Sequence, residues 1–173
     1  MIDIESLELE PLSEVSLDRE CVPFDFADPP CDPIELAHRM VKIMVDANGL
    51  GLAANQIGFQ YRVVAFRGMP ENFVLFNPKI VSASDETMLL KEGCLSYPGL
   101  YVKVARPVEC RVRYTQPNGE TLTQIFRGLS SKVIHHEMDH LDGIVFYSRA
   151  SKFNRDAALR KWKFAKRRMK KNG

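Results

Sequence analysis

Two histidines four residues apart, with a glutamate directly after the first, are the residues of this chain whose spacing best suits chemistry. They are His136, Glu137 and His140. On a helix, residues at i and i+4 lie on one face about one turn apart. Two neutral imidazoles placed in this way bind one metal ion, and the glutamate reaches a water on that ion. The pattern indicates metal-dependent hydrolysis, although a helix with two incidental histidines has the same spacing.

A catalytic metal site of this kind needs a third protein ligand. In thermolysin-like zincins it is a downstream glutamate, but no glutamate follows Glu137 in this chain. In metzincins it is a third histidine, and the corresponding position holds Phe146. Asp156 and His38 are formal candidates with nothing else in their favour, and His135 points about 100° away from the ligand face. The third ligand must therefore be sought upstream.

A helix that carries the two histidines is predicted from its ends and its apolar spacing. Ser130 or Ser131 is placed to cap its start, and Gly143 is placed to end it. Leu129 and Val133 would then share the face of the two histidines.

An earlier helix has clearer signals. Asp32 is its predicted cap, Pro33 is its first residue, and Glu35 is placed to complete a capping box. Gly49 is predicted to end it. Its predicted buried stripe consists of Leu36, Met40, Ile43, Met44 and Ala47.

Segments rich in Val and aromatic residues predict strands between these helices. They cover residues 62–66, 73–76, 101–105, 108–114 and 121–126, with further strand and loop over 78–91 and a turn-rich segment over 92–99. The Pro-Asn-Gly sequence at 117–119 predicts a hairpin turn. Helices at both ends and turn-connected strands between them predict an α+β fold with antiparallel sheets in a compact single domain.

The length of 173 residues predicts one domain over residues 1–173, long enough to bury a core. The acidic, proline-containing residues 1–31 are predicted to form an extended arm, partly bound to the surface. No apolar run approaches a membrane span and no signal-peptide pattern is visible, so we expect a cytoplasmic protein with no membrane partner. The four cysteines, Cys21, Cys31, Cys94 and Cys110, form no C-x-x-C pair and are expected to be thiols.

The net charge of +2 conceals a strong asymmetry. Residues 149–173 carry 11 Lys/Arg and one Asp, a balance of +10, which leaves −8 for the preceding residues. A basic helix or tail is predicted over residues 152–173, with Asn154 as its cap. Its predicted apolar stripe consists of Ala158, Trp162, Ala165 and Met169. Such a tail suits a polyanionic partner, and a solvated helix face is the alternative.

Three segments, taken together, resemble the signature motifs of the peptide deformylase family in their usual order. They are Gly-Leu-Gly-Leu-Ala-Ala-Asn-Gln at 49–56, Glu-Gly-Cys-Leu-Ser at 92–96 and His-Glu-Met-Asp-His at 136–140. The resemblance covers roughly residues 33–147. It implies that Cys94 is the third metal ligand beside His136 and His140. It also implies a compact α+β fold in which the metal helix packs against the strands that carry the other two motifs.

The family resemblance further implies an activity, which is hydrolysis of the N-formyl group from the formyl-methionine of newly made polypeptides, with release of formate. Glu137 would act as base and then acid, while the Gln56 amide and the Leu95 N–H would stabilise the oxyanion. Ferrous iron is the implied working ion, with zinc or nickel able to take its place. The residues expected to bind or support the substrate are Gly49, Leu50, Gly51, Glu92, Gly93, Leu129, Val133 and Arg106.

The basic tail is a candidate contact with the ribosome, since some members of the family are thought to use a C-terminal helix in this way and a basic helix suits rRNA. Two positions depart from the usual family pattern. His135 stands where Gln is usual, which could alter how the neighbouring ligand is held, and Asn55 stands where Pro or Thr is common, with little expected consequence. A zinc metallopeptidase of another type and a non-enzymatic RNA-binding protein with a structural metal remain the alternatives.

Overall fold

The computed structural model describes residues 2–10 and 17–172, with the side chains of residues 169–172 left out of the description. This part of the chain contains helices α1 (Pro33–Asp46), α2 (Leu129–Leu141) and α3 (Lys152–Asn172). Its strands are β1 (Gly51–Ala53), β2 (Val63–Phe66), β3 (Phe73–Ala83), β4 (Thr87–Cys94), β5 (Tyr97–Pro107), β6 (Glu109–Thr115) and β7 (Thr121–Arg127). Short 3₁₀ helices cover Ala54–Ile57 and Phe146–Arg149.

The strands form two antiparallel sheets. One has the order β1-β2-β3-β6-β7, and the other is the hairpin β4-β5. Strands that follow one another in the chain are mostly paired, because short turns join them. The predicted α+β fold with antiparallel sheets and a C-terminal helix is confirmed.

Strand β2 packs against both α1 and α2. All four of its residues are buried, and they alternate between two packing clusters. Val63 and Ala65 pack in the cluster that contains the apolar stripe of α1, whereas Val64 and Phe66 pack in the cluster that contains α2. Because successive side chains of a strand point to opposite faces, α1 and α2 cover opposite faces of the large sheet.

Helix α1 begins as its sequence predicts. The Asp32 carboxylate accepts hydrogen bonds from the backbone N–H groups of Ile34 (2.8 Å) and Glu35 (2.9 Å), with Pro33 as the first helical residue. These bonds satisfy donors that the first turn would otherwise leave unpaired. The helix ends at Asp46, three residues before Gly49, and Ala47 forms its cap. The other four residues of the predicted stripe are buried.

Helix α2 begins differently from the prediction. Neither Ser130 nor Ser131 caps it, because the helix starts at Leu129 and its cap position is Gly128. The Ser131 hydroxyl instead donates to the carbonyl of Pro107 at 2.9 Å and so fixes the first turn of α2 to the end of β5. The Ser131 side chain, which the local sequence predicted as a cap, is therefore used in a tertiary hydrogen bond instead.

The C-terminal end of α2 agrees with the sequence. Gly143 has φ +68, its N–H donates to the carbonyl of His140, and the Ile144 N–H donates to that of Asp139 at 2.8 Å. A Cβ at Gly143 would lie only 3.0 Å from the backbone of Arg19. Glycine is therefore required both by the left-handed conformation and by the close approach of the N-terminal segment.

The segment predicted to be turn-rich, residues 92–99, is more regular than expected. Strand β4 continues through Cys94, only Leu95 and Ser96 form the turn, and β5 starts at Tyr97. Strand β3 is also longer than predicted and reaches Ala83 through two irregularities in its pairing with β6. Cys94 thus lies at the end of a hairpin strand, where its position is fixed by backbone pairing.

The described part of the N-terminal arm, residues 2–10 and 17–31, has no helix or named strand, and residues 11–16 lie outside the described residues. This arm is packed more deeply into the domain than the extended, partly surface-bound arm that the sequence predicts. The side chain of Asn77 accepts from the Phe24 N–H (2.7 Å) and donates to the Phe24 carbonyl (2.8 Å). Ile4, Phe24 and Cys31 are buried against α1 and the large sheet.

Helix α3 starts two residues before the predicted cap, Asn154, whose N–H donates to the Ser151 hydroxyl at 3.3 Å. Ala158 and Trp162 are half-buried as the stripe predicts, but Ala165 is exposed and the Met169 side chain lies outside the described residues. The Trp162 indole N–H donates to the Pro98 carbonyl on β5 at 2.9 Å. Among the described helices, none has the length and apolarity that crossing a membrane requires.

A buried charge network joins the hairpin to α2. Arg106 on β5 is 4% exposed, and its guanidinium donates to both oxygens of Glu92 on β4 (2.9 and 3.2 Å) and to Asp139 on α2 (2.6 Å). Arg149 also donates to Asp139 at 2.7 Å. These contacts fix α2 relative to the strand that ends at Cys94.

Replacing Arg106 with Met should lower the free energy of unfolding by about 3–5 kcal/mol, because two buried carboxylates lose a partner in a site with little access to water. Arg127→Met is the matched control, since the Arg127–Glu109 pair is largely exposed and should contribute less than about 1 kcal/mol. Urea unfolding at pH 7 measures both. Equal losses for the two variants would contradict a structural role for the buried network.

Candidate metal centre and substrate cavity

Three side chains from two elements converge on one point. Cys94 comes from the end of β4, and His136 and His140 come from one face of α2. Their ligand atoms all lie within 4.8 Å of one another, and the Cys94 Sγ is 3.2 Å from the His140 Nε2. The structure brings together the three residues that the family resemblance implied as ligands.

The geometry and the donor chemistry of this cluster suit a divalent cation. Metal–sulfur distances of about 2.3 Å and metal–nitrogen distances of about 2.1 Å at a tetrahedral angle separate S and N by roughly 3.6 Å. The observed separations, from 3.2 Å to at most 4.8 Å, bracket that value. One thiol and two imidazoles also form a ligand set typical of zinc or iron. The cluster can hold a metal without rearrangement of its backbone.

A buried carboxylate orients His136. The Glu92 Oε2 lies 3.0 Å from the His136 Nδ1, which leaves the Nε2 of the same ring free for a ligand. Burial would raise the pKa of Glu92, but the hydrogen bonds from His136 and Arg106 hold it below its usual value. Burial would likewise lower the pKa of His136, yet hydrogen bonds with Cys94 and Glu92 raise it to about 10. As a metal ligand the ring would have to be neutral.

The pKa of His140 is shifted in the opposite direction from that of His136. Burial, together with the positive charges of His136 and Arg106, lowers the pKa of His140 well below its usual value, so its ring is neutral as a ligand must be. The Asn55 side chain donates to the His140 carbonyl at 2.7 Å. Asn55, which the sequence led us to expect to matter little, therefore connects the 3₁₀ helix after β1 to the turn of α2 that carries this ligand.

Glu137 is the candidate proton carrier beside the cluster. Burial raises the pKa of Glu137 to about 7, and its Oε2 has no hydrogen-bond partner within the described part of the chain. Strand β1 packs closely against it, because a Cβ at Gly51 would collide with the Glu137 carboxylate and with Val133. The absence of a side chain at Gly51 is what lets the cavity reach this carboxylate.

The Gln56 side chain is held in one orientation. Its Oε1 accepts from the Ala53 N–H at 2.9 Å, so its amide nitrogen points to the cluster, donating to the Ser96 hydroxyl at 3.0 Å with the Cys94 Sγ at 3.5 Å. Leu95, the other residue of the hairpin turn, lies beside it on the cavity wall. An amide donor and the N–H groups of a tight turn thus lie next to the candidate metal ligands.

A cavity of about 490 Å³ opens onto this cluster. Its walls come from the segment before β1, from the β4-β5 hairpin and from the first two turns of α2. Seven of the residues expected to contact substrate line it, namely Gly49, Leu50, Gly51, Glu92, Gly93, Leu129 and Val133. Glu92 contributes little surface, because it is 3% exposed and engaged by His136 and Arg106.

Arg106, the eighth expected residue, does not line this cavity. It lies behind Glu92, so its position suits support of the site and not contact with substrate. His135 faces a separate cavity on the other side of α2, and its Nδ1 lies 2.8 Å from the Ser131 carbonyl. The formal ligand candidates are elsewhere, since His38 is exposed on α1 and Asp156 pairs with Arg155 on α3.

Sequence reasoning missed three residues that the structure adds to the site. The Ser96 hydroxyl accepts a hydrogen bond from the Gln56 amide, and Lys132 lies on the cavity wall. Asp139 forms ion pairs with Arg106 and Arg149. Asp139 and Lys132 are three and four residues from His136, so helical spacing alone brings them near it. What the sequence did not indicate is that their charges are buried.

Comparison with known proteins agrees with this geometry. The family model described as polypeptide deformylase matches residues 7–156. A peptide deformylase of Natranaerobius thermophilus is 44% identical over 122 residues, which are 70% of this chain and 78% of that protein. A crystal structure of the peptide deformylase of Synechococcus elongatus, in complex with actinonin, gives a TM-score of 0.80 at 31% identity, with 90% of this chain and 87% of that one covered. A plant peptide deformylase structure gives 0.85 at 26% identity, covering 99% and 95%. The chain therefore belongs to the polypeptide deformylase family.

Proposed function

We propose that this chain is a metal-dependent hydrolase that removes the N-formyl group from the formyl-methionine of newly made polypeptides and releases formate. The observation that carries the proposal is the convergence of Cys94, His136 and His140 beside a buried Glu137 carboxylate whose Oε2 has no hydrogen-bond partner in the described part of the chain, in a chain of this family. The cavity next to these residues is large enough for the side chain of one amino acid. Because formylated chains are made on ribosomes, the proposed site of action is the cytoplasm.

Cys94, His136 and His140 are the proposed ligands of one divalent ion, with ferrous iron as the working metal and zinc or nickel as possible occupants. Thiolate and imidazole are ligands that suit all three ions. When bound, such an ion keeps the thiol deprotonated, acidifies a water and polarises a carbonyl oxygen. The hydrogen bond that the His136 Nδ1–H donates to Glu92 keeps the ring in the orientation that ligation requires.

Glu137 carries protons in this proposal. Its pKa near 7 lets the carboxylate take a proton from the attacking water at neutral pH and return it to the leaving amine. Attack on the formyl carbon places negative charge on its oxygen. The Gln56 amide, aimed by its bond to Ala53, and the Leu95 N–H are the proposed donors to that oxygen, at about 3 kcal/mol each by comparison with other hydrolases.

The methionine side chain is proposed to bind in the cavity between α2 and the hairpin. Leu129 and Val133 form its apolar wall on the helix side, and the glycines at 49, 51 and 93 let the peptide backbone approach. In this proposal the formyl group lies over the ligand cluster and the rest of the peptide runs out of the cavity. Arg106 is proposed as a supporting residue and not as a substrate contact.

Wild-type protein purified without oxygen should release formate from a formyl-Met peptide. Glu137→Ala should lower kcat/KM by about 10²- to 10⁴-fold, because it removes the proton carrier, while metal content stays near one ion per chain. Formate release measured with a coupled assay and metal analysis check both expectations.

The ligand assignment has its own matched pair of variants. Cys94→Ala should lose the ion, whereas Cys110→Ala, which removes a buried thiol of the core on β6, should keep it. Retention of the metal by Cys94→Ala would support a metallopeptidase of another type. An unchanged rate in Glu137→Ala would contradict an enzymatic role for this carboxylate.

The basic end of α3 is proposed to contact ribosomal RNA. Beyond Trp162, residues 163–168 are all exposed and include Lys163, Lys166, Arg167 and Arg168. A row of exposed cations without apolar burial suits the phosphate backbone. The half-buried Trp162 fixes the base of this segment to the hairpin and leaves the charged faces accessible.

Changing Lys163, Arg167 and Arg168 to Gln should abolish salt-sensitive co-sedimentation with ribosomes, because three phosphate contacts are removed while Trp162 stays docked. The control is the same change at Lys103, Arg111 and Arg113, which are exposed on β5 and β6 and should leave binding intact. Equal sedimentation of both triple variants and the wild type would reject the tail as the contact.

A further inference from the structure

A lysine lies on the wall of the substrate cavity, in the first turn of α2, where its neighbours on that wall, Leu129 and Val133, are apolar. Lys132 is 7% exposed and lines the same cavity as Leu129 and Val133. Its Nζ donates to the carbonyl of Lys91 at 3.0 Å. Within the described residues it forms no ion pair with a carboxylate, which is unusual for a buried ammonium.

The ammonium group therefore has unused hydrogen-bonding capacity. A lysine offers three donors, and among the residues that the structure describes its one hydrogen bond goes to the Lys91 carbonyl. The carboxylate whose charge acts on Lys132 is Glu92, and its oxygens are already engaged by Arg106 and His136. Burial lowers the pKa of Lys132, which is the electrostatic cost of keeping this group beside a cavity without a partner of its own. A ligand atom that accepts a hydrogen bond would offset that cost.

The position of Lys132 relates it to one part of the substrate. It precedes His136 by four residues on α2, which corresponds to about 6 Å along the helix axis. Val133 and Leu129 lie on the same stretch of wall. A side chain attached next to a formyl group at the ligand cluster and running along this wall would end near the Lys132 ammonium.

We propose that Lys132 makes the side-chain pocket accept first residues that end in a neutral hydrogen-bond acceptor, above all the sulfoxide of an oxidised formyl-methionine. The inference rests on the proposed deformylase function and specifies its substrate class. Oxidation gives methionine a strongly polar oxygen that an apolar pocket would exclude. The aliphatic stem of the lysine still contacts the unoxidised thioether, so ordinary formyl-methionine remains a substrate.

A neutral acceptor suits this pocket better than a carboxylate does. Glu92 and Glu137 both lie on the cavity, so a further carboxylate near Lys132 would be repelled by them. A sulfoxide oxygen accepts from the ammonium without adding charge. The structure therefore favours a polar, uncharged tip at this position.

The test compares two formyl peptides that differ only at the first side chain, one with methionine sulfoxide and one with norleucine. In the wild type, kcat/KM for the sulfoxide should lie within about tenfold of that for norleucine. In Lys132→Met, which keeps the volume and removes the donor, the ratio of sulfoxide to norleucine should fall by about 10- to 100-fold. Lys132→Gln, which keeps a neutral donor, should restore part of the ratio.

Lys91→Met is the matched control, because Lys91 is an exposed cation on the same cavity and its removal should leave the ratio as in the wild type. Each ratio is measured on one protein sample, so a partly inactive variant does not distort it. An unchanged ratio in Lys132→Met, or a wild type that rejects the sulfoxide, would overturn this inference. Absence of formate release from any formyl peptide would instead overturn the proposed function.

Discussion

The hydrogen bonds of one buried carboxylate tie the site together. Glu92 lies two residues before Cys94 on β4 and accepts from His136 on α2 and from Arg106 on β5. The strand that carries the thiol is thereby fixed to the helix that carries the imidazoles. Because the carboxylate is buried, each bond is stronger than it would be in water, and the loss of one partner is correspondingly costly. Glu92 thus connects all three elements that build the cluster and its support, namely β4, β5 and α2.

Close approach of backbone to side chain is the second constraint. Strand β1 can lie against Glu137 and Val133 only because residue 51 has no side chain, and a Cβ at Gly49 would crowd the Leu95 side chain. The two glycines thus set the depth of the cavity, while the two-residue turn between β4 and β5 fixes where Leu95 can lie. A short turn and two small residues place the proposed oxyanion donors next to the helix without a long flexible loop.

The sequence predicted those features that depend on local chemistry or on a repeated pattern. The cap of α1 and the glycine after α2 follow from a few neighbouring residues, and the order of helices and strands follows from periodicity. Spacing alone did not identify Cys94, which lies 42 residues before His136; resemblance to a family did. The start of α2 and the burial of Lys132 could not be predicted, because each depends on a contact with a distant element: the Pro107 carbonyl for the first and the Lys91 carbonyl for the second.

Trp162 has a consequence for how the molecule could be oriented. Its indole binds the carbonyl of Pro98, which lies on the rim of the cavity, and the ten residues of α3 that follow extend for roughly 15 Å. The charged C-terminal part of α3 is therefore a continuous helix that is hydrogen-bonded, through Trp162, to the entrance of the cavity. A large partner that binds this part of α3 would also fix the direction in which the cavity entrance faces. A peptide emerging from that partner would then reach the entrance at a fixed angle.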